Sequence, residues 1–431
     1  MEPRPVQVSF AEAFRFWLKL GFISFGGPTG QIAIMHQELV EQRRWISEKR
    51  FLHALNYCMV LPGPEAQQLA TYIGWLMHRT WGGIVAGGLF VLPSVFILIA
   101  LSWIYLTYGD VPFVAGIFYG IKPAVVAIVL AAAWRIGQRA LKHPALWALA
   151  AAAFIAIFAF DAPFPAIVLV AGLIGYVGGQ YSPGIFSGGT GHGAAKAGYG
   201  PALIDDDTPT PAHALFSWKK LAAYFCAGLA LWAALIAALA AATGLDGTPT
   251  QMGLFFSKAA LLTFGGAYAV LPYVYQGAVE HYGWLTATQM IDGLALGETT
   301  PGPLIMVVAF VGYVGAGITG ALVATYFTFL PSFIFIFMGA PFVETTHGNL
   351  KFSAPLTGIT AAVVGVIVNL ALFFAWHVLW PEGPSGRLEW FPALVGTAAF
   401  VALFRYKVGV MQVIGACALA GLVITYVRPL F

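Results

Sequence analysis

The sequence predicts an all-α polytopic membrane protein with two inverted-topology repeats, broken or re-entrant helices and one bridging transmembrane helix. Three observations carry that expectation. The first is composition: of 431 residues 59% are hydrophobic and 9% charged, far below the charge a soluble surface carries. The second is the length of the uncharged runs. Residues 80–109, 162–195, 221–245, 259–279, 299–343, 352–381 and 408–427 contain no Asp, Glu, Lys or Arg, and most exceed the ~20 residues that cross a bilayer. They lack the period-2 alternation of barrel strands and therefore read as helices. The third is an internal repeat.

Shifting the chain by 239 positions superimposes Phe16, Lys19, Phe25, Gly26, Gly27, Gln37, Glu41, Trp45, Leu55, Pro62, Gly63 and Pro64 on Phe255, Lys258, Phe264, Gly265, Gly266, Gln276, Glu280, Trp284, Leu294, Pro301, Gly302 and Pro303. With a one-residue slip the match continues through Gly74/Gly312, Leu92-Pro93-Ser94/Leu330-Pro331-Ser332 and Gly120-Ile121/Gly358-Ile359. Apolar composition alone does not hold Phe-Gly-Gly, Trp and Pro-Gly-Pro in one register. The organisation that follows is an N-terminal repeat at 1–180, a Gly-rich cytoplasmic linker at 181–217, a bridging helix at 218–243 and a C-terminal inverted repeat at 251–431.

Charge placement predicts the inversion. Arg43, Arg44, Lys49 and Arg50 crowd one loop of the first half, while the matching residues 281–289 hold no Lys or Arg. Arg135, Arg139 and Lys142 follow the Lys122 helix, but 373–380 after its partner contains no Lys or Arg; the bias reverses at Arg405 and Lys407, where the first half offers only Asp161. By the positive-inside rule the halves face opposite ways, with the N-terminus and linker in the cytoplasm and the C-terminus outside. One bridging helix between halves of equal, even crossing number supplies the reversal. Inverted repeats are typical of secondary transporters; a duplicated scaffold with no transport role is the alternative.

Other classes find little support. A dispersed net charge of +3 offers no nucleic-acid patch. The run from Gly188 to Lys196 resembles a phosphate loop, but it lacks the Gly-Lys-Ser/Thr ending and a preceding strand, so no nucleotide is expected. Cys58, Cys226 and Cys417 stand singly in apolar segments, which suits reduced core packing over disulfides or metal. The N-terminus shows no removable signal. No metal-ligand cluster and no Ser/His/Asp pattern appears, so neither a cofactor nor catalysis is expected; an enzyme acting on lipid phosphate is the reading from another class.

Two interruptions recur in each half. Phe25-Gly26-Gly27-Pro28-Thr29 ends a helical stretch at 10–25, and Pro62-Gly63-Pro64 separates helices at about 47–61 and 65–78. Glycines relieve the turn, and Pro suits the first position of a new helix. Each break is expected to leave a helix N-terminus, with free N–H groups and a positive dipole end, inside the membrane. Four such ends, at Gly26-Gly27, Pro62-Gly63-Pro64, Gly265-Gly266 and Pro301-Gly302-Pro303, would cage a small tetrahedral anion; alternatively, Gly and Pro only kink closely packed helices. Lys122 lies near the centre of an otherwise uncharged span, where an unpaired charge costs ~2.5–3.5 kcal/mol, and is a candidate anion ligand. Lys19 and Lys258, a repeat pair, either point inward with it or snorkel to the interface. Glu65 and Glu298 are candidate proton carriers. Asp292, His53, Asn56 and Asn369 read as polar groups satisfied within helix packing.

The run Phe22-Ile23-Ser24-Phe25-Gly26-Gly27-Pro28, then Trp45-Ile46-Ser47 and Leu61-Pro62-Gly63-Pro64, resembles the signature of the chromate ion transporter family. Its echo, Leu262-Thr263-Phe264-Gly265-Gly266, Trp284-Leu285-Thr286 and Thr300-Pro301-Gly302-Pro303, resembles the family's long, two-domain members. The resemblance implies a multi-pass protein of the bacterial inner (plasma) membrane that exports chromate and confers chromate resistance, with sulfate as a close analogue. An importer or exchanger of sulfate or a related oxyanion, coupled to protons through Glu65 or Glu298, stays open, and a homodimer is admitted without being specified. The second half departs at Ala267, opposite Pro28, and at Leu304, opposite Glu65, so the half-sites are not equivalent.

Overall fold

The computed structural model describes residues 7–25, 27–186, 199–264, 266–346, 353–383 and 386–427. Among the described residues, seven helices of ten residues or more precede a bridging one: α1 Phe10–Ile23, α2 Gly27–His36, α3 Glu48–Val60, α4 Glu65–Tyr108, α5 Pro112–Ala140, α6 Pro144–Phe160 and α7 Phe164–Tyr181. Ser9 and Ser47 cap α1 and α3 by accepting the N–H of Glu12 and Arg50, and prolines start α5 and α6, where a missing N–H costs nothing. The bridging helix is α8, Trp218–Thr243. The pattern then recurs as α9 Thr248–Leu262, α10 Ala267–Tyr275, α11 Ala287–Thr299, α12 Val307–Thr346, α13 Ser353–Leu379, α14 Trp390–Phe404 and α15 Val410–Val427. Even a π-helical turn repeats, at Gln37–Gln42 and Gln276–His281.

The fold is all-α and polytopic. Among the described residues seven helical segments are long and apolar enough to cross a membrane, and α6 and α14 are shorter apolar helices. Large side chains such as Trp81, Phe96, Phe158, Leu169 and Leu419 lie exposed on them, as a lipid-facing belt requires.

Two of the long helices are tight hairpins. In α4 the backbone leaves helical geometry at His78 and Arg79, and α12 does so at Ala316 and Gly317. A Cβ on Gly74 would meet the Gly82 carbonyl at 2.5 Å, and one on Gly312 would meet the Gly320 carbonyl at 2.2 Å. Eight residues of continuous helix would hold those groups ~12 Å apart, so each chain folds back on itself. Small residues permit that contact.

The halves clasp each other reciprocally. Gly83 faces Phe337 and Gly87 faces Phe333, so the second arms of α4 and α12 run antiparallel. Helices α6 and α7 pack on α13 of the other half, while α14 and α15 pack on α5. Gly120 takes the Cys417 carbonyl and Gly421 at its surface; its repeat partner Gly358 takes the Ala171 carbonyl and Gly175.

The linker's described part is tied to the first half. Leu203 and Ile204 donate N–H groups to the Arg44 and Trp45 carbonyls at 2.9 and 3.1 Å, and Arg50 donates to the Thr208 carbonyl at 2.5 Å. His213 meets the Trp75 carbonyl at 3.0 Å, and Ala214 is fully buried. Its unpaired backbone groups find partners on the first half, which outweighs the entropy of a loose tether. The Gly188–Lys196 run lies outside the described residues. Cys58 and Cys417 are buried, whereas Cys226 is exposed on α8, because α8 packs by only a narrow face.

Candidate functional site

All four chain breaks meet between the halves. The Gly63 N–H donates to the Thr263 carbonyl at 2.7 Å, and the Gly302 N–H donates to the Ser24 carbonyl at 2.7 Å. Ser24 and Thr263 are repeat partners, as are Gly63 and Gly302, so the two bonds are one contact made twice. Gly63 and Gly302 have φ of 126° and 96°, a region side chains avoid. A Cβ there would also lie 2.4 Å from Ser332 Oγ and 2.0 Å from Ser94 Oγ respectively. Gln31 donates to the Gly302 carbonyl at 2.5 Å, Gln68 to the Pro62 carbonyl at 2.7 Å, and Ser94 to the Pro301 carbonyl. Gly27 and Gly266 have φ of 70° and 95°, and a Cβ on Gly266 would stand 3.9 Å from Pro28 Cγ. Pro64 and Pro303 are buried at the starts of their helical segments, while Thr29 is exposed on α2. Gly26 and Gly265 lie outside the described residues.

This geometry changes the donor inventory. The Gly63 and Gly302 amides, expected to be free, are bonded to carbonyls across the repeat interface, because a buried N–H takes the nearest acceptor. Left without partners are the side-chain oxygens of Gln31, Gln67 and Gln68 and the Ser332 hydroxyl, all buried.

The charged centre lies elsewhere. Lys122 on α5 and Asp292 on α11 pair at 3.5 Å, with side chains 26% and 2% exposed. Tyr105 on α4 donates to the same Asp292 oxygen, Oδ2, at 2.8 Å, while Oδ1 has no partner. These three, with Asp110, Tyr119 and Gln289, line a cavity of about 750 Å³. The residues of the Gly/Pro breaks are not part of its wall. Tyr119 in turn donates to Glu389 at 2.7 Å. The cavity thus has a lysine facing its space and a carboxylate behind it, one from each half.

The repeat places a second cluster opposite. The counterparts of Asp292 and Tyr105 are His53 and Val343, and the His53 ring meets the Val343 carbonyl at 3.2 Å. Beside them Arg50 pairs with Glu344 at 3.2 Å, and Tyr72 donates to Glu344 at 2.5 Å. The linker lies over this end through Thr208.

The other predicted residues scatter. Lys19, 56% exposed, pairs with Glu38 at 3.4 Å instead of reaching the breaks, and Lys258 is exposed. Glu298 accepts from Tyr268, and Glu65 stands half-buried in the first turn of α4. Asn56 is half-buried with its oxygen unpartnered. Among the described residues no three His, Cys, Asp or Glu side chains gather as a metal would need. Sequence reasoning missed the weight of Asp292 and the presence of Tyr105 and Gln289. The available signal was Lys122 itself: a lysine in an apolar span needs a counter-ion, but spacing does not say which acid supplies it.

The profile described as Chromate transporter matches residues 11–176 and 250–422, both halves without the linker. The chain is 36% identical to the "Chromate transport protein" of Pseudomonas aeruginosa over 430 residues, 97% of this chain and 94% of that one. It is 30% identical to the "Chromate transport protein" of Cupriavidus metallidurans, covering 95% and 91%, and 30% identical to the "Probable chromate transport protein" of Synechococcus elongatus, covering 84% and 83%. No solved structure matches. With the profile matching both halves and relatives at 30% identity or more over most of the chain, the chain belongs to the chromate transporter family.

Proposed function

We propose that this transporter carries chromate, a tetrahedral dianion, out of the cytoplasm by alternating access between its two halves. The observation that carries the reading is the Lys122–Asp292 pair, which joins one half to the other at the wall of a cavity large enough for an oxyanion. Gly27, Pro28 and the two Pro-Gly-Pro turns form the pivot, with Gly26, Thr29, Gly265 and Gly266 completing the motifs. Lys19 and Lys258 act as outlying cations, and Glu65 and Glu298 are where a coupled proton would sit. Sulfate, of the same charge and shape, competes.

Opposed orientation of the halves is supported by the antiparallel packing of α4 and α12. Thr80, where the second arm of α4 begins, bonds Tyr224 of α8 at 2.8 Å beside the linker. Tyr105 is 25 residues further, ~37 Å away along a helix. The cavity therefore opens at the end remote from the linker. Arg43, Arg44, Lys49 and Arg50 beside the linker support a cytoplasmic N-terminus and linker, with the C-terminus outside, in a bacterial inner membrane. On this reading the structure faces outward, and turnover requires the Arg50–Glu344 end to open instead.

Export fits the energetics: a negative cytoplasm drives a dianion outward with about 4.6 kcal/mol per 100 mV. Proteoliposomes loaded with chromate test this. Efflux should rise with an interior-negative potential and fall with competing sulfate; flux that ignores the potential sinks electrogenic export.

A further inference from the structure

We propose that Asp292 is a tethered counter-ion that competes with the transported anion for Lys122 and thereby keeps the anion's hold on the site weak enough to release. The inference rests on the reading of the Lys122 cavity as the oxyanion site.

The geometry makes the carboxylate a built-in substitute for substrate. Its Oδ2 takes both the Lys122 ammonium at 3.5 Å and the Tyr105 hydroxyl at 2.8 Å, the pair of donors an oxyanion in the cavity would need. The lysine contact is longer than the ~2.7–2.9 Å of a full charge-assisted bond. Oδ1 is buried and receives nothing, so the carboxylate is held at one oxygen only and its grip can be broken. Lys122 is the more exposed partner and faces the cavity. A bare ammonium there would be costly in an apolar wall and would hold any anion tightly. Paired, the empty site is nearly neutral.

Charge then decides the competition. A dianion brings twice the attraction of a monoanion such as nitrate to the same lysine, and the carboxylate handicaps every anion that must displace it by the same factor. Asp110 is the other acid in the cavity wall, and it too lowers the affinity for anions. Because Lys122 and Asp292 sit on different halves, displacement also loosens one contact that holds the halves in this arrangement, coupling binding to movement.

Equilibrium binding to the purified full chain at alkaline pH, where chromate is doubly charged, tests this with chromate, sulfate and nitrate as probes. Wild type should prefer chromate and sulfate over nitrate by at least tenfold. Asp292→Asn should bind chromate and sulfate about tenfold tighter or more, with nitrate gaining no larger a factor, while Asp292→Glu returns the affinities toward wild type. The double variant Lys122→Gln/Asp292→Asn, which removes both charges and leaves no buried ion unpaired, should bind none of them. Wild-type binding that Asp292→Asn leaves unchanged or weakens, in a protein that elutes and melts as wild type does, overturns the counter-ion alone. Absence of oxyanion binding by wild type, or its persistence in the double variant, overturns the site.

Discussion

Gly63 and Gly302 show how much one residue can hold. Each combines positive φ, a neighbouring serine oxygen within 2.4 Å of any added Cβ, and an N–H spent on the opposite half. Gly63→Ala should therefore cost about 2–4 kcal/mol by strain and displacement of Ser332. Thermal unfolding in detergent checks it, with Gly88→Ala as control, since that glycine has open space around it. On the proposed role of Lys122, Lys122→Gln should reduce chromate flux at least tenfold, and the double variant with Asp292→Asn should do the same while restoring stability. Recovery of flux in the double variant would show that the lysine serves packing only.

At the scale of elements, the linker is a strap whose hold depends on pH. Burial pushes the His213 imidazole below its ordinary value, and Arg79 and Lys220 nearby act the same way; the bond to the Trp75 carbonyl opposes them. A base whose pKa falls on docking binds more protons when undocked, so docking is intact above the ordinary imidazole value of about 6.5 and weakens as pH falls below it. Hydrogen exchange of residues 199–217 should accelerate on acidification, and His213→Gln should flatten that response. The capping box of α11, in which Thr286 and Gln289 exchange bonds, fixes the helix that carries Asp292. Thr286→Ala should cost about 1 kcal/mol, read as a lower melting temperature.

For the whole molecule, the proposed inverted arrangement has two ends: one at Tyr105 and Asp292, where the cavity lies, and one at His53 and Val343, beside the linker. Cysteines introduced as His53→Cys and Val343→Cys, with the native cysteines replaced, should permit flux until a short bifunctional reagent joins them. Reduction or omission of the reagent should restore it. Undiminished flux in the cross-linked protein would mean that this end never opens.

Much of this was legible before any coordinates. Uncharged runs longer than a bilayer require helices because lipid offers backbone groups no partner, and a constant shift of repeated Gly, Pro and Trp residues requires related halves. Helix starts at Ser47, Pro64 and Thr286 follow from capping and proline chemistry acting over a few residues. What tertiary structure decided is who meets whom. Lys122 and Asp292 are separated by most of a repeat and the whole linker, and no local rule pairs them. The Gly63 and Gly302 amides looked free because their acceptors lie in the opposite half, and the linker's partners, Arg44, Trp45, Arg50 and Trp75, lie more than 100 residues before it. Local propensity and solvent set the elements; long-range packing assigns every buried charge and N–H its partner, and that assignment places the cavity.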